Sequence, residues 1–256
     1  MTKTQIKGYS IMQTLIDSTR TVGELVLENP ARAAVFEAHK IDYCCGGKKS
    51  LADACARRKV GVETVSEALN RCDASREKGE DLQWTNRRCA DLIDHIVTAH
   101  HGYLRRELPR LSVLADKVAR VHGEHAPDMI TLATVVQSLR SELESHIDKE
   151  EQILFPFIKG LENGQASPFP TIGIPISCME HEHDDAGEAL EKMSVLTNNY
   201  EPPTDACNSW RVLYHGLNEL EADLHQHIHK ENNILFPRAL AMELAMHPAR
   251  ISAGDC

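Results

Sequence analysis

Two stretches of the chain carry one pattern: His146-Ile-Asp-Lys-Glu150-Glu-Gln-Ile-Leu-Phe-Pro156 and, eighty-one residues later, His227-Ile-His-Lys-Glu231-Asn-Asn-Ile-Leu-Phe-Pro237. In both, a histidine precedes a glutamate by four. On an α-helix that spacing is about 40° of rotation and ~6 Å of rise, so the two side chains share a face and can grip a metal ion together. Glu142 and Asp223 stand four residues before the repeated histidines, where each could accept the proton of the imidazole nitrogen turned away from the metal. A single buried His-Glu pair is more often a satisfied hydrogen bond than a ligand pair. Its duplication, with matched partners, favours the metal.

Those partners are histidines further upstream. His101 lies forty-five residues before His146, and His183 lies forty-four before His227, so the unit that repeats is a pair of segments. Four antiparallel helices with these residues turned inward would gather four imidazoles and two carboxylates in a bundle core. A structural zinc is closed by four ligands, often with cysteine. Six nitrogen and oxygen donors with two carboxylates free to bridge suit a non-haem di-iron or di-manganese centre. Glu180-x-x-His183 resembles half of a ferritin-like motif, but Thr98 stands three before His101, so that reading fails.

The elements that must position these residues are helices. Hydrophobic residues make up 42% of the 256, aromatic ones 5% and charged ones 26%, which suits an all-α protein. The stripe Leu92, Ile93, Ile96, Val97 predicts a first bundle helix from Asn86 or Arg88, and continuing it lands on His100 or His101. Pro109 would kink that helix without ending it, because Leu111, Leu114, Val118 and Val121 keep the period. His122, ~31 Å further along the axis than His101 at 1.5 Å per residue, is too distant to share a site. A second helix from Pro127 or Met129 to Ile158 carries His146 and Glu150. A third carries Met179, His183, Gly187 and Leu190, and a fourth, Ala206 to Met246, carries His227 and Glu231. His181, His225 and His229 are expected in solvent.

Ahead of the bundle, Thr21 before Glu24, Asn29-Pro30 and Ser50 before Asp53 read as helix starts, and a further helix is expected over Val62 to Cys72. Between them, Ile41-Asp-Tyr-Cys44-Cys45-Gly46-Gly47-Lys-Lys49 pairs two thiols with glycines that permit unusual backbone angles. The lysines and the following helix N-terminus would lower a thiol pKa; packing inside a small domain is the alternative. The expected division is an N-terminal extension over 1–19, a small helical domain over 20–73, a linker over 74–84, the bundle over 85–246 and a tail over 247–256. The formal charge of −10 argues against nucleic acid or an anionic membrane as partner. No run of eighteen apolar residues and no secretory signal is found, and the eight cysteines lack disulfide spacing, so a cytoplasmic protein is expected.

Over roughly residues 20 to 241 the chain resembles the Repair of Iron Centres family, the iron-sulfur cluster repair di-iron proteins of hemerythrin-like fold. The resemblance is carried by Asp42-Tyr-Cys-Cys-Gly-Gly47, Lys149-Glu-Glu-Gln-Ile-Leu-Phe-Pro156, Glu182-His-Asp184 with Ala186-Gly187, and Glu231-Asn-Asn-Ile-Leu-Phe-Pro-Arg-Ala-Leu240. The family's first histidine stands eight residues before the proline of a Leu-Pro pair, here Pro109, which selects His101 over His100. The resemblance implies two iron ions bridged by Glu150 and Glu231 and by an oxo or hydroxo group, each iron taking two of His101, His146, His183 and His227. It also implies repair of iron-sulfur proteins damaged by nitrosative or oxidative stress, by supply of iron. The alternative is binding, scavenging or reduction of nitric oxide or dioxygen at the irons, with a nitric oxide reductase-like activity if the protein is an enzyme. A homodimer is an admissible assembly. This chain departs from the family in an added stretch of some sixteen N-terminal residues and a tail beyond Glu243.

Overall fold

The computed structural model describes residues 16–74, 84–165 and 170–246. The expected linker apart from its two end residues, the tail, and all but the last four residues of the N-terminal extension lie outside them. The described residues form helices and no strand. Four short helices come first: α1 (Val22–Glu28), α2 (Arg32–Ala38), α3 (Leu51–Arg58) and α4 (Val62–Ala74). The Thr21 capping box is made in both directions, Glu24 N–H to Thr21 Oγ1 at 3.2 Å and Thr21 N–H to Glu24 Oε2 at 3.1 Å. Ser50 caps α3 through the Asp53 N–H at 3.1 Å. At Asn29-Pro30 the start comes later than expected. Asn29 uses its side chain to accept the Ala31 N–H at 3.3 Å, and the helix begins only at Arg32.

Four long helices follow. The first, α5, runs as Cys89–His95, a π-helical stretch Ile96–His101, then Gly102–His122, and it carries Pro109 without ending. The second, α6, is Asp128–Lys149, a π stretch Glu150–Leu154 and Phe155–Glu162. The third, α7 (Gly173–Leu196), is α-helical throughout. The fourth, α8, is Asn208–Lys230, a π stretch Glu231–Leu235 and Phe236–Met246. Helical periodicity does not encode the π turns, and the sequence reading missed them. Two of them end at the leucine of Leu-Phe-Pro. A proline ring clashes with the carbonyl four residues back, and the wider π turn moves that carbonyl away.

The apolar residues of the bundle fall into two clusters. One holds Leu104 to Val118 of α5, Met129 to Ile147 of α6, Ala186 to Met193 of α7 and Trp210 to Leu224 of α8. The other holds Cys89 to Ile96, Leu154 to Leu161, Ile172 to Met179 and Ile234 to Ala239. On every long helix the switch from one cluster to the other falls at the histidine or glutamate singled out above. The polar residues therefore form one layer between two dry cores, closed to water on both sides. The small domain has its own core of Val22, Leu25, Phe36, Tyr43, Leu51 and Leu69.

Candidate metal centre

His101, Glu150, His227 and Glu231 form one cluster of potential ligand atoms, and His146, Glu150, His183 and Glu231 form a second; within each, the atoms lie within 4.8 Å of one another. All six residues are at most 2% exposed. The Nε2 atoms point inward: His101 to His227 at 3.2 Å, His183 to His146 at 3.1 Å, His101 to Glu150 at 3.3 Å, His146 to Glu150 at 3.4 Å, His183 to Glu231 at 3.2 Å and His227 to Glu231 at 3.0 Å. Two nitrogens at right angles on one metal, each about 2.1 Å away, are about 3 Å apart. The imidazole pairs have that separation. Both Glu150 oxygens and Glu231 Oε2 are buried with no hydrogen-bond partner among the described residues, although buried carboxylate oxygens are normally paired. Shared carboxylates left unpaired between two histidine pairs fit two cations.

Electrostatics act in the same direction. Burial, opposing the charge, and the facing Glu231 carboxylate push Glu150 upward, but His146 and His101 outweigh them and hold it below its ordinary value. Burial likewise opposes Glu231, and His227 and His183 hold it well below the usual carboxylate range. Burial works against the His146 imidazolium too, yet the Glu150 carboxylate raises it to about 9. His101 is raised by the same carboxylate against its burial, whereas burial keeps His227 low. A layer with two ionised carboxylates in a low-dielectric core draws in positive charge, as protons or as metal.

The outer nitrogens do not find the partners expected for them. Glu142 is exposed, and His146 Nδ1 instead meets Glu182 Oε2 of α7 at 2.8 Å. Asp223 Oδ1 is bound by His100 Nδ1 at 2.8 Å, leaving His227 Nδ1 buried without a partner among the described residues. The reason is geometric: a neighbouring helix lies beyond the outer edge of each ring, so the acceptor comes from across the bundle and not from one turn back. Three acceptors escaped the sequence reading, and two of them directly follow a repeated glutamate. Glu151 Oε1 meets His101 Nδ1 at 2.7 Å, and Asn232 Oδ1 meets His183 Nδ1 at 2.8 Å. Arg105 steadies Glu151 at 2.6 Å, and Lys149 bonds Glu182.

The paired cysteines lie against this centre. Cys45 Sγ donates to the backbone oxygen of His183 at 3.2 Å, and Cys44 Sγ stands 3.8 Å from Cys45 Sγ and 3.2 Å from Asp42 Oδ1. The expected low-pKa thiolate is not what Cys44 provides. Its hydrogen bond with Cys45, its burial and the Asp42 carboxylate raise it well above the ordinary thiol value. Gly46 and Gly47 have no positive φ, so their role is close approach. A Cβ on Gly47 would stand 2.7 Å from Asn233 Oδ1 and 2.8 Å from the Tyr43 carbonyl. His229 is buried and not in solvent, because the Tyr43 ring packs edge-on against it at 5.4 Å and reaches His225 at 6.0 Å. His181 is exposed. His122, away from the centre, contacts Cys207 Sγ at 3.2 Å.

Comparison with known proteins agrees with this geometry. Residues 92–239 match the hemerythrin HHE cation binding domain, and residues 18–73 match a domain of unknown function, DUF542. Curated proteins named iron-sulfur cluster repair protein YtfE from Citrobacter koseri, Escherichia coli and Shigella boydii are each 45% identical over 222 residues, 87% of this chain and 97% of theirs. A hemerythrin-type bundle enclosing four histidines and two shared glutamates, preceded by the small cysteine-bearing domain, places the sequence plainly: the chain belongs to the iron-sulfur cluster repair family of hemerythrin-like di-iron proteins.

Proposed function

We propose that His101, His146, His183 and His227, with Glu150 and Glu231 shared between the two clusters, hold two iron ions, and that the protein repairs damaged iron-sulfur clusters by giving up iron from this centre. The observation that carries the reading is the pair of buried donor clusters with both glutamates in common. Relatives 45% identical bear the name iron-sulfur cluster repair protein. Bound there, the irons would supply a reservoir of exchangeable metal and a redox couple. The chain's part is to hold four neutral imidazoles and two carboxylates in place and to exclude water with the two apolar cores. Because the ligands must lose their protons to bind, acidification favours release.

All six donors come from one chain, so no second copy is needed to build the site. Between the small domain and the bundle lies a cavity of about 570 Å³, lined among others by Cys44, Cys45, Lys49, Arg57, Asp184 and Glu188. It is the face on which a client protein could meet the centre. No disulfide is found among the described cysteines, which suits the reducing cytoplasm we propose as its compartment. No described helix is long and apolar enough to cross a membrane.

The test is anaerobic mixing of the reduced, iron-loaded protein with a cluster enzyme inactivated by nitric oxide, following iron transfer and gas consumption together. Enzyme activity should return as iron leaves the repair protein. Gas turned over with no iron leaving and no activity regained would replace repair by gas chemistry.

A further inference from the structure

The duplicated helix pairs give each outer imidazole nitrogen a position for its partner, and the four positions are not equally filled. Glu151 and Asn232 are equivalent in the two repeats, each following a shared glutamate, and they serve His101 and His183. Glu182, just before His183, serves His146. The residue equivalent to Glu182 is the one just before His101, and it is His100. That residue cannot act as an acceptor for His227, because the two rings are stacked parallel, 2° apart in plane with centroids 5.3 Å apart. An N–H lies in its own ring plane and cannot point at a ring stacked on its face. His100 in turn binds Asp223, the nearest acid one turn before His227. His227 Nδ1 is left buried and unpartnered, as is His100 Nε2.

A ligating imidazole held by an outer acceptor is better oriented and more basic, and loss of such an acceptor costs about 10- to 100-fold in metal affinity. One cluster has acceptors on both histidines, Glu182 on His146 and Asn232 on His183. The other has only Glu151 on His101. Building on the di-iron reading above, we propose that the two irons are held unequally: the one between His101 and His227 is the exchangeable iron, and the one between His146 and His183 is retained. His100 and Glu182 are the positioning residues that set the difference. Release is dissociation of a ferrous ion from two imidazoles and two carboxylates, with no change of oxidation state. The donated species is then a single iron per cycle.

The experiment is anaerobic removal of iron from the full-length diferrous protein by excess ferrous chelator, with Mössbauer spectra taken before and midway. Two phases of equal amplitude are expected, with rates about tenfold or more apart, and the midpoint spectrum should have lost one of two distinguishable iron signals. Glu182→Ala should accelerate the slow phase alone, and His100→Glu, which restores an acceptor at the equivalent position, should slow the fast phase alone. A general loosening of the bundle would speed both phases together and would overturn the assignment. Two irons leaving wild-type protein in one phase, with one spectral signal, would overturn the inequality while leaving the di-iron reading intact. A protein that cannot be loaded beyond trace iron would overturn that reading, and this inference with it.

Discussion

Glu150 and Glu231 are carboxylates at 0% exposure whose oxygens face imidazole nitrogens, His146 Nε2 at 3.4 Å and His227 Nε2 at 3.0 Å. A buried charge without compensation is costly, so positive charge, from protonated imidazole or from metal, has to complete them. Replacing either by alanine removes a donor from both clusters at once. We expect Glu150→Ala and Glu231→Ala each to lower bound iron from two per chain to below one, measured by metal analysis after anaerobic loading, with the helical circular dichroism retained. Thiol reactivity is a second residue-scale test. Because the pKa of Cys44 is raised, its thiolate fraction at any pH below that value is smaller than that of an ordinary thiol, and it grows only at strongly alkaline pH. Iodoacetamide at pH 8 should therefore label the exposed Cys178 and Cys207 well before Cys44. Mass spectrometry showing Cys44 labelled first would contradict the burial and hydrogen bonding described here.

At the scale of elements, the π stretches set the ligand geometry. Glu150 opens one and Glu231 opens another, while His101 closes the third. Such turns recur at functional sites, and here each takes up about one residue more than an α turn between a ligand and the packed helix beyond it. Inserting one alanine between Leu154 and Phe155 would add one α-helical step and turn His146 and Glu150 by about 100° relative to Phe155 and Ile158. Iron binding should fail while far-ultraviolet circular dichroism barely changes; an insertion variant that still holds two irons would show that this phase is incidental. The same turns mark where the sequence stopped being legible. Helix count, the caps at Thr21 and Ser50, and the gathering of His101, His146, Glu150, His183, His227 and Glu231 followed from periodicity, the repeat and family resemblance. The outer acceptors did not, because Glu182 and Asn232 reach their histidines across helix interfaces, 36 and 49 residues away in the chain. Spacing within one helix pointed instead to Glu142 and Asp223. The burial of His229 was also hidden, since the Tyr43 that covers it belongs to another domain.

At the scale of the whole molecule, the small domain is held to the bundle by shape more than by charge. Lys48 to Glu180 at 2.9 Å and Arg58 to Glu191 at 2.6 Å cross the boundary, but such surface pairs are each worth about 0 to 1 kcal/mol. The tighter contacts are made where glycine lets the backbone come close. Asn233 of α8 sits between Gly23 and Gly47, and its amide reaches the Cys44 carbonyl at 3.4 Å. A methyl group on Gly47 would press on the Asn233 side chain, which can move, and on the Tyr43 carbonyl, which cannot without shifting the loop that carries both cysteines. Gly47→Ala should therefore cost about 1–3 kcal/mol in denaturant unfolding, the range for forced overpacking, and should raise amide hydrogen exchange across residues 42–50. Iron content should stay at two per chain, because none of the six His and Glu donors of the bundle comes from the small domain. If repair of the damaged enzyme then slows while iron loading is unchanged, the position of the thiol loop on the His183 backbone contributes to delivery. If repair is unaffected, Cys44 and Cys45 act at most in holding the small domain together, and iron leaves by a path that does not pass them.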